Sequence, residues 1–143
     1  MGSTGNTKLL PQIINAALSN HLKVILSGVN KIQKEEILIN HPELVGKSII
    51  EPLIKAEKVL PYCRLTICHG GSGTVYQSME QGTPVLCFPK NPDQSLVSMA
   101  VVQNNIGRYL TGKNSKFDSI NKMISECITN ELIQQQLVTN GRN

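Results

Sequence analysis

The chain has 143 residues, of which 40% are hydrophobic and 17% charged, and its formal net charge is +4. That is one domain's worth of length, with a composition too apolar and too weakly charged for a disordered segment. With no Trp, two Phe and three Tyr, and with its basic residues scattered, it lacks the stacked aromatics and basic tracts of nucleic-acid binders, and no apolar run approaches the ~20 residues of a membrane span.

Met1-Gly2-Ser3-Thr4-Gly5-Asn6 has the character of a glycine-rich loop, although no strand precedes it. The chain is therefore expected to be a fragment that begins just after its first strand. No secretory signal is expected at this start, because Asn6, Thr7 and Lys8 interrupt any apolar run. Leu9, Leu10, Ile13, Ile14, Ala17 and Leu18 then recur at helical spacing over 7–19. KVILS (23–27), ended by Gly28, predicts a strand, 32–39 a charged helix, and 48–50 a strand stopped near Pro52. One or two helical turns over 55–60 precede the strand RLTIC (64–68). A helix over 74–81 is closed by Gly82 as a left-handed cap, and the strand PVLCF (84–88) follows. The remainder predicts a helix over 94–104, a strand over 107–110 and a helix from 115 to the C-terminus, with Phe117, Ile120, Met123, Ile124 and Cys127 on one face.

This alternation argues an α/β fold, a Rossmann-like doubly wound parallel sheet flanked by helices. KVILS, LTIC and PVLCF are apolar at every pleat, as strands covered on both sides should be. The first strand of such a sheet is central. Its loss would leave unpaired backbone on both sides of a gap, so limited stability or self-association that fills the gap is expected. Cys63, Cys68, Cys87 and Cys127 form no CxxC pair. They fit reduced thiols of a cytoplasmic protein better than a zinc ribbon or disulfides.

The densest chemical signal is His69-Gly70-Gly71-Ser72-Gly73-Thr74, between a predicted strand and a predicted helix. Glycines let a backbone approach an oxyanion, the helix start offers unpaired amides and a positive dipole end, and Ser72, Thr74 and His69 add side-chain donors. The plainer reading is a tight turn that needs its glycines for geometry, with His69 a satisfied hydrogen bonder. A second signal is Asp93-Gln94, just beyond the strand PVLCF. A carboxylate beside an amide can accept from and donate to neighbouring sugar hydroxyls. The plainer reading is that Asp93 caps its helix.

Together the two signals form HGGSGTVYQSMEQGTPVLCFPKNPDQ, which resembles the donor-binding signature of the GT-B UDP-glycosyltransferases, the family of macrolide, sterol and plant glucosyltransferases. His69, Gly70, Gly71, Gly73, Thr74, Gly82, Pro84, Pro89, Asp93 and Gln94 match its motif, HGGxGTxxEAxxxGxPxxxxPxxxDQ. The resemblance implies the C-terminal, donor-binding half of a GT-B fold. It implies that His69 and the amides after Gly70 hold the donor diphosphate, with Ser72, Gly73, Thr74 and the loop residues Ser3 and Thr4 beside them. Asp93 and Gln94 would hold the transferred sugar. Leu53 and Ile54 fall where the family places its base-binding segment, and Gln77 stands where plant members carry a Glu on the ribose. No Trp is present to stack on the base.

The implied reaction is attack of an acceptor hydroxyl on the anomeric carbon of a UDP-sugar, without a metal or other cofactor. The family's general base is a His of an N-terminal acceptor domain. His21 and His41 match no such motif, so no catalytic residue is expected in this chain, which alone would bind donor without turnover. The expected partners are UDP or a UDP-sugar and an acceptor domain or subunit. The expected location is cytoplasmic, or peripheral to a membrane in the full-length protein. A natural subunit of a two-chain glycosyltransferase and a non-catalytic nucleotide-binding or interaction module on the same fold are the alternatives.

Overall fold

Helices and strands alternate through the computed structural model, which describes residues 9–112 and 115–140. α1 (Leu9–Ser19) leads through β1 (Val24–Ser27) and α2 (Lys31–Asn40) to β2 (Ser48–Glu51) and the short α3 (Ala56–Val59). β3 (Thr66–Cys68), α4 (Ser72–Glu80), β4 (Val85–Cys87), α5 (Pro92–Gln103) and β5 (Gly107–Tyr109) follow, then α6 (Phe117–Thr129) and α7 (Glu131–Asn140). Every strand pair is parallel, and the pairs fall into two sheets, β1-β2 and β3-β4-β5. The expected class, a parallel α/β fold flanked by helices, is what forms.

β4 explains the layering. Successive side chains of a strand point to opposite faces, so an all-apolar strand needs two hydrophobic layers. Leu86 and the following Phe88 join Leu9, Ile13, Ile120 and Ile124 of α1 and α6. Val85 and Cys87 join Val75 of α4, Val101 of α5, and Ile133 and Leu137 of α7. A third cluster packs β1 and β2 on the other flank of α1, through Ile14, Ala17, Val24, Leu26 and Ile50. The Arg108 guanidinium donates to the Glu126 carboxylate at 3.0 Å and ties β5 to α6.

Three expectations need correction. β1 and β3 are not covered on both sides: Ile25 is 37% exposed, and Leu65 and Ile67 are half-buried. The reason is that β1 and β3 belong to different sheets, and no described strand pairs with both. The C-terminal helix is two helices, because Asn130 leaves helical torsions (φ −67°, ψ 121°) and its side chain accepts from the Ile133 N–H at 3.1 Å, starting α7. α4 starts at Ser72 and α5 at Pro92, each two residues before the spacing predicts.

Gly82 closes α4 at φ +72°, as expected of a left-handed cap. The four cysteines are free thiols, and burial pushes that of Cys127 up to about 12. Among the described residues, no helix is long and apolar enough to cross a membrane.

Candidate functional site

The polypeptide leaves β3 through His69, whose Nδ1 lies 3.1 Å from the Phe88 carbonyl oxygen. A carbonyl only accepts, so Nδ1 carries the proton. Nε2 is buried and has no hydrogen-bond partner among the described residues. Leaving such an atom unmatched costs about 1–3 kcal/mol. It is the kind of defect that a ligand removes.

The glycines after His69 divide into two kinds. Gly70 has φ +100°, and a Cβ there would stand 2.8 Å from Ser98 Oγ and 3.0 Å from the Gln94 carbonyl oxygen. Its glycine is required by the fold, and it shows that the loop after β3 packs on the first turns of α5. Gly71 and Gly73 are different. Neither has a positive φ, and a Cβ at either would meet nothing within 4 Å. Nothing among the described residues demands glycine at these two exposed positions, whereas a close ligand would.

Gly71 is the N-cap of α4 and supplies no side-chain cap. The first helical bond runs from the Val75 N–H to the Gly71 carbonyl at 3.1 Å, so the amides of Ser72, Gly73 and Thr74 make up the unpaired first turn. All four residues from Gly71 to Thr74 are exposed. This is an open, positively polarised helix start immediately beyond His69.

Asp93 and Gln94 lie in the first turn of α5. Asp93 does not cap the helix. Asn91 does, its Oδ1 accepting from the Gln94 N–H at 2.8 Å, with Pro92 at the first helical position. The exposed Asp93 carboxylate thus stays available as an acceptor. The Gln94 side-chain oxygen accepts from the Lys90 N–H at 2.8 Å, which leaves its amide NH₂ as the group to offer a ligand. The close approach of Gly70 to Gln94 brings the two sequence signals into one site.

Leu53 and Ile54 follow β2. The Ile54 N–H donates to Ser27 Oγ at 3.1 Å, and the Gly28 N–H to the Glu51 carbonyl at 3.1 Å, so this loop is held at the carboxyl end of β1. Leu53 is 81% exposed, a large apolar side chain without a packing role. Gln77 is exposed on α4, one turn after Gly73 and on the same face. Ser3 and Thr4 lie outside the described residues. His41 is buried, with Nδ1 3.8 Å from Glu43 Oε1, and His21 is exposed on a left-handed turn at φ +60°.

Three contributors escape the sequence reading. The Phe88 carbonyl and Ser98 are fixed by tertiary packing and leave no local signal. Asn91 had one: Asn, then Pro, then Gln at the third helical position is a helix-start pattern.

The glycine contrast makes a prediction. Gly73→Ala should keep or raise Tm, since Ala is favoured over Gly within a helix by about 0.5–1 kcal/mol. The same variant should weaken nucleotide diphosphate binding about tenfold, or ~1.4 kcal/mol, as read by isothermal titration. If it binds as tightly as the parent, nothing approaches the α4 start.

The profile of the Glycosyltransferase family 28 C-terminal domain matches residues 2–141. Among curated proteins, the chain is 27% identical over 94 residues to the zeaxanthin glucosyltransferase of Pseudescherichia vulneris, covering 66% of this chain and 22% of that protein. It is 22% identical over 135 residues to a PGL/p-HBAD biosynthesis glycosyltransferase of Mycobacterium tuberculosis, covering 94% and 30%. The chain thus spans less than a third of the length of these relatives. Among solved structures, the glycotransferase of kitacinnamycin superposes with a TM-score of 0.82 at 18% identity, over 99% of this chain and 36% of that one. Os79 from O. sativa, solved with UDP and deoxynivalenol-3-glucoside, gives 0.81 at 15% identity, over 99% and 35%. The spinosyn rhamnosyltransferase SpnG, solved with thymidine diphosphate, gives 0.75 at 19% identity, over 96% and 38%.

Proposed function

The chain belongs to the glycosyltransferase family 28 C-terminal domain family, and from that premise we propose that it is the donor-binding half of an enzyme that moves a sugar from a UDP-sugar to an acceptor hydroxyl. The observation that carries the reading is the pairing of an unsatisfied, buried His69 Nε2 with two glycines, Gly71 and Gly73, whose Cβ positions are open and whose torsions do not call for glycine.

In this reading the diphosphate lies over the start of α4. Its oxygens accept from the Ser72, Gly73 and Thr74 amides and from His69 Nε2. Because Nδ1 already donates to Phe88, Nε2 donates to the diphosphate in the form that carries a proton on both nitrogens. As the acceptor hydroxyl attacks the anomeric carbon, the bond from that carbon to the β-phosphate oxygen breaks and negative charge gathers on the leaving diphosphate. The helix start, the loop amides and His69 are preorganised to hold that charge, so the proposed reaction uses no metal. Asp93 accepts from, and the Gln94 amide donates to, the hydroxyls of the sugar. Leu53 and Ile54 cover the base, and Gln77 hydrogen-bonds the ribose. Ser3 and Thr4 complete the phosphate contacts.

The base and the acceptor site come from outside these residues' own chemistry. The acceptor half, with its general base, is supplied by further sequence or by a second subunit. The free thiols support a reducing, cytoplasmic setting, with any membrane association peripheral. Self-association through the open edges of β1 and β3 is the competing expectation, and a sedimentation coefficient that rises with protein concentration would show it.

The test is a titration with UDP, UDP-glucose and thymidine diphosphate, followed by backbone amide NMR. Saturable shifts at 70–74 are expected for every diphosphate, with further shifts at Asp93 and Gln94 for UDP-glucose alone. Tighter binding of thymidine diphosphate than of UDP would reassign the base. A folded sample without shifts would overturn donor binding, and robust sugar transfer by these residues alone would overturn the division into two halves.

A further inference from the structure

The four thiols are placed unevenly around the sheet. Cys63 Sγ donates to the Val59 carbonyl at 3.2 Å, and Cys127 lies in the layer of Leu86, Ile120 and Ile124. Cys68 and Cys87 instead form a pair. They end β3 and β4 and stand opposite each other in the parallel ladder. In-register neighbours point to the same face, and both side chains lie in the layer of Val75, Val85 and Val101. Neighbouring strands run about 4.7–4.9 Å apart, inside the ~4.4–6.8 Å between Cα atoms that a disulfide spans.

The two thiols of the pair are unequal. Cys87 is fully buried, whereas Cys68 keeps 8% of its surface. The Cys87 thiol donates to the Cys68 sulfur and lowers the pKa of Cys68 more than burial raises it, and the Gly70 N–H lowers it further. The same contact and burial push the Cys87 thiol up. Hydrogen bonds to a sulfur favour its thiolate, and the thiolate is the nucleophile. Burial raises Cys63 and Cys127. The pair also stands at the root of the loop after β3. His69 follows Cys68, Phe88 follows Cys87, and the His69 ring is bonded to the Phe88 carbonyl.

We propose that Cys68 and Cys87 are a redox-active dithiol, which hydrogen peroxide closes into a cross-strand disulfide at the root of the loop after β3. The Cys68 thiolate attacks one peroxide oxygen. An S–O bond forms, the O–O bond breaks, and the departing hydroxide becomes water with the proton that Cys68 released. The Cys87 sulfur then attacks the Cys68 sulfur. An S–S bond forms, the S–O bond breaks, and the second hydroxide leaves as water with the Cys87 proton. The dithiol gives up two electrons and two hydrogens, and one peroxide is reduced to two waters. A dithiol reductant reverses the closure by exchange. Exposure and sequence distance alone favour a different product. Cys63 is only half-buried and lies nearer to Cys68 in sequence than Cys87 does, so an unfolded chain would close Cys63 onto Cys68 more readily. A bridge from Cys68 to Cys87 is selected by the β3–β4 register.

The test exposes the full chain to excess hydrogen peroxide under native conditions, alkylates the remaining thiols with iodoacetamide and maps the peptides by mass spectrometry. The Cys68 and Cys87 peptides should be joined, lighter by the two hydrogens lost, and separated again by dithiothreitol. The Gly70 amide resonance should shift on oxidation, because its thiolate acceptor is gone. In concentrated urea the bridge should pass to Cys63 and Cys68. Cys87→Ala should halt the reaction at a Cys68 sulfenic acid, captured by dimedone, and Cys127→Ala should give the same disulfide as the parent. Both variants remove a buried sulfur, so a loss of folding would mark them alike, whereas capture at Cys68 belongs to Cys87→Ala alone. Four alkylated thiols after peroxide, first oxidation at Cys63, or a native-state bridge other than Cys68–Cys87, including one between two chains, would overturn the proposal. UDP binding by the reduced chain is scored separately, so failure here leaves donor binding intact.

Discussion

His69→Ala should bind UDP about 10- to 100-fold more weakly than the parent chain while binding uridine equally well. The magnitude is that of a hydrogen bond to a charged group, about 1.5–3 kcal/mol. The reasoning rests on the two ring nitrogens having separate duties. Nδ1 is committed to the Phe88 carbonyl, which fixes the ring, and Nε2 is buried with no partner among the described residues. A purely structural His69 would act through the Phe88 bond alone. Its loss would lower Tm and weaken both ligands alike. Comparison of UDP with uridine by titration calorimetry separates these outcomes, because only the phosphates distinguish the two. Equal weakening of both would remove His69 from the diphosphate site.

Gly107→Ala should be among the most damaging single substitutions in the chain. Gly107 pairs with Val85 across the β4–β5 ladder, and an added Cβ would collide with the Val85 carbonyl and stand 2.9 Å from Val101 Cγ1. Neither neighbour can retreat. Val85 is fully buried and bonded to the Ile106 carbonyl, and Val101 is buried on α5. Over-packing costs about 1–3 kcal/mol, and a clash with backbone places this site at the top of that range. For a chain of this length that corresponds to a Tm lower by about 10 °C. Thermal unfolding by circular dichroism is the direct test. Gly112→Ala is the control, since a Cβ there meets nothing within 4 Å. Equal Tm values for the two variants would show that β5 can slide away from β4.

β4 was legible because its run of apolar residues at every pleat admits few explanations, and it does lie between two hydrophobic layers. β1 and β3 carry the same pattern, yet Ile25 and Ile67 are not fully covered. Apolar patterning records what a strand is suited to pack against, not whether that neighbour is present. The break at Asn130 left a signal of its own. Ile133 and Leu137 are one turn apart but fall off the face of Ile120, Ile124 and Cys127 and join the other hydrophobic layer, and the Asn130 side chain, which accepts from the Ile133 N–H, marks the restart. At the site, the loop after β3 and the first turn of α5 could be placed from sequence, because strand ends and helix starts leave composition marks. The roles within them needed coordinates. The three glycines of the loop look alike as motif letters, and only the surroundings of Gly70, Gly71 and Gly73 tell a packing requirement from an open approach.

The division into two sheets has a thermal consequence for the site. The residues proposed to face the phosphates follow β3 and β4, whose side chains are deeply buried, whereas Leu53 and Ile54 hang from a two-stranded ribbon through Ser27. The ribbon packs against one hydrophobic cluster and β4 against two, so easier local opening is expected of the ribbon. A nucleotide bound as proposed would act as a clasp across a seam. Its binding energy would then appear chiefly as a slower opening of the weaker half, so the ligand would order the side proposed for the base more than the side proposed for the phosphates.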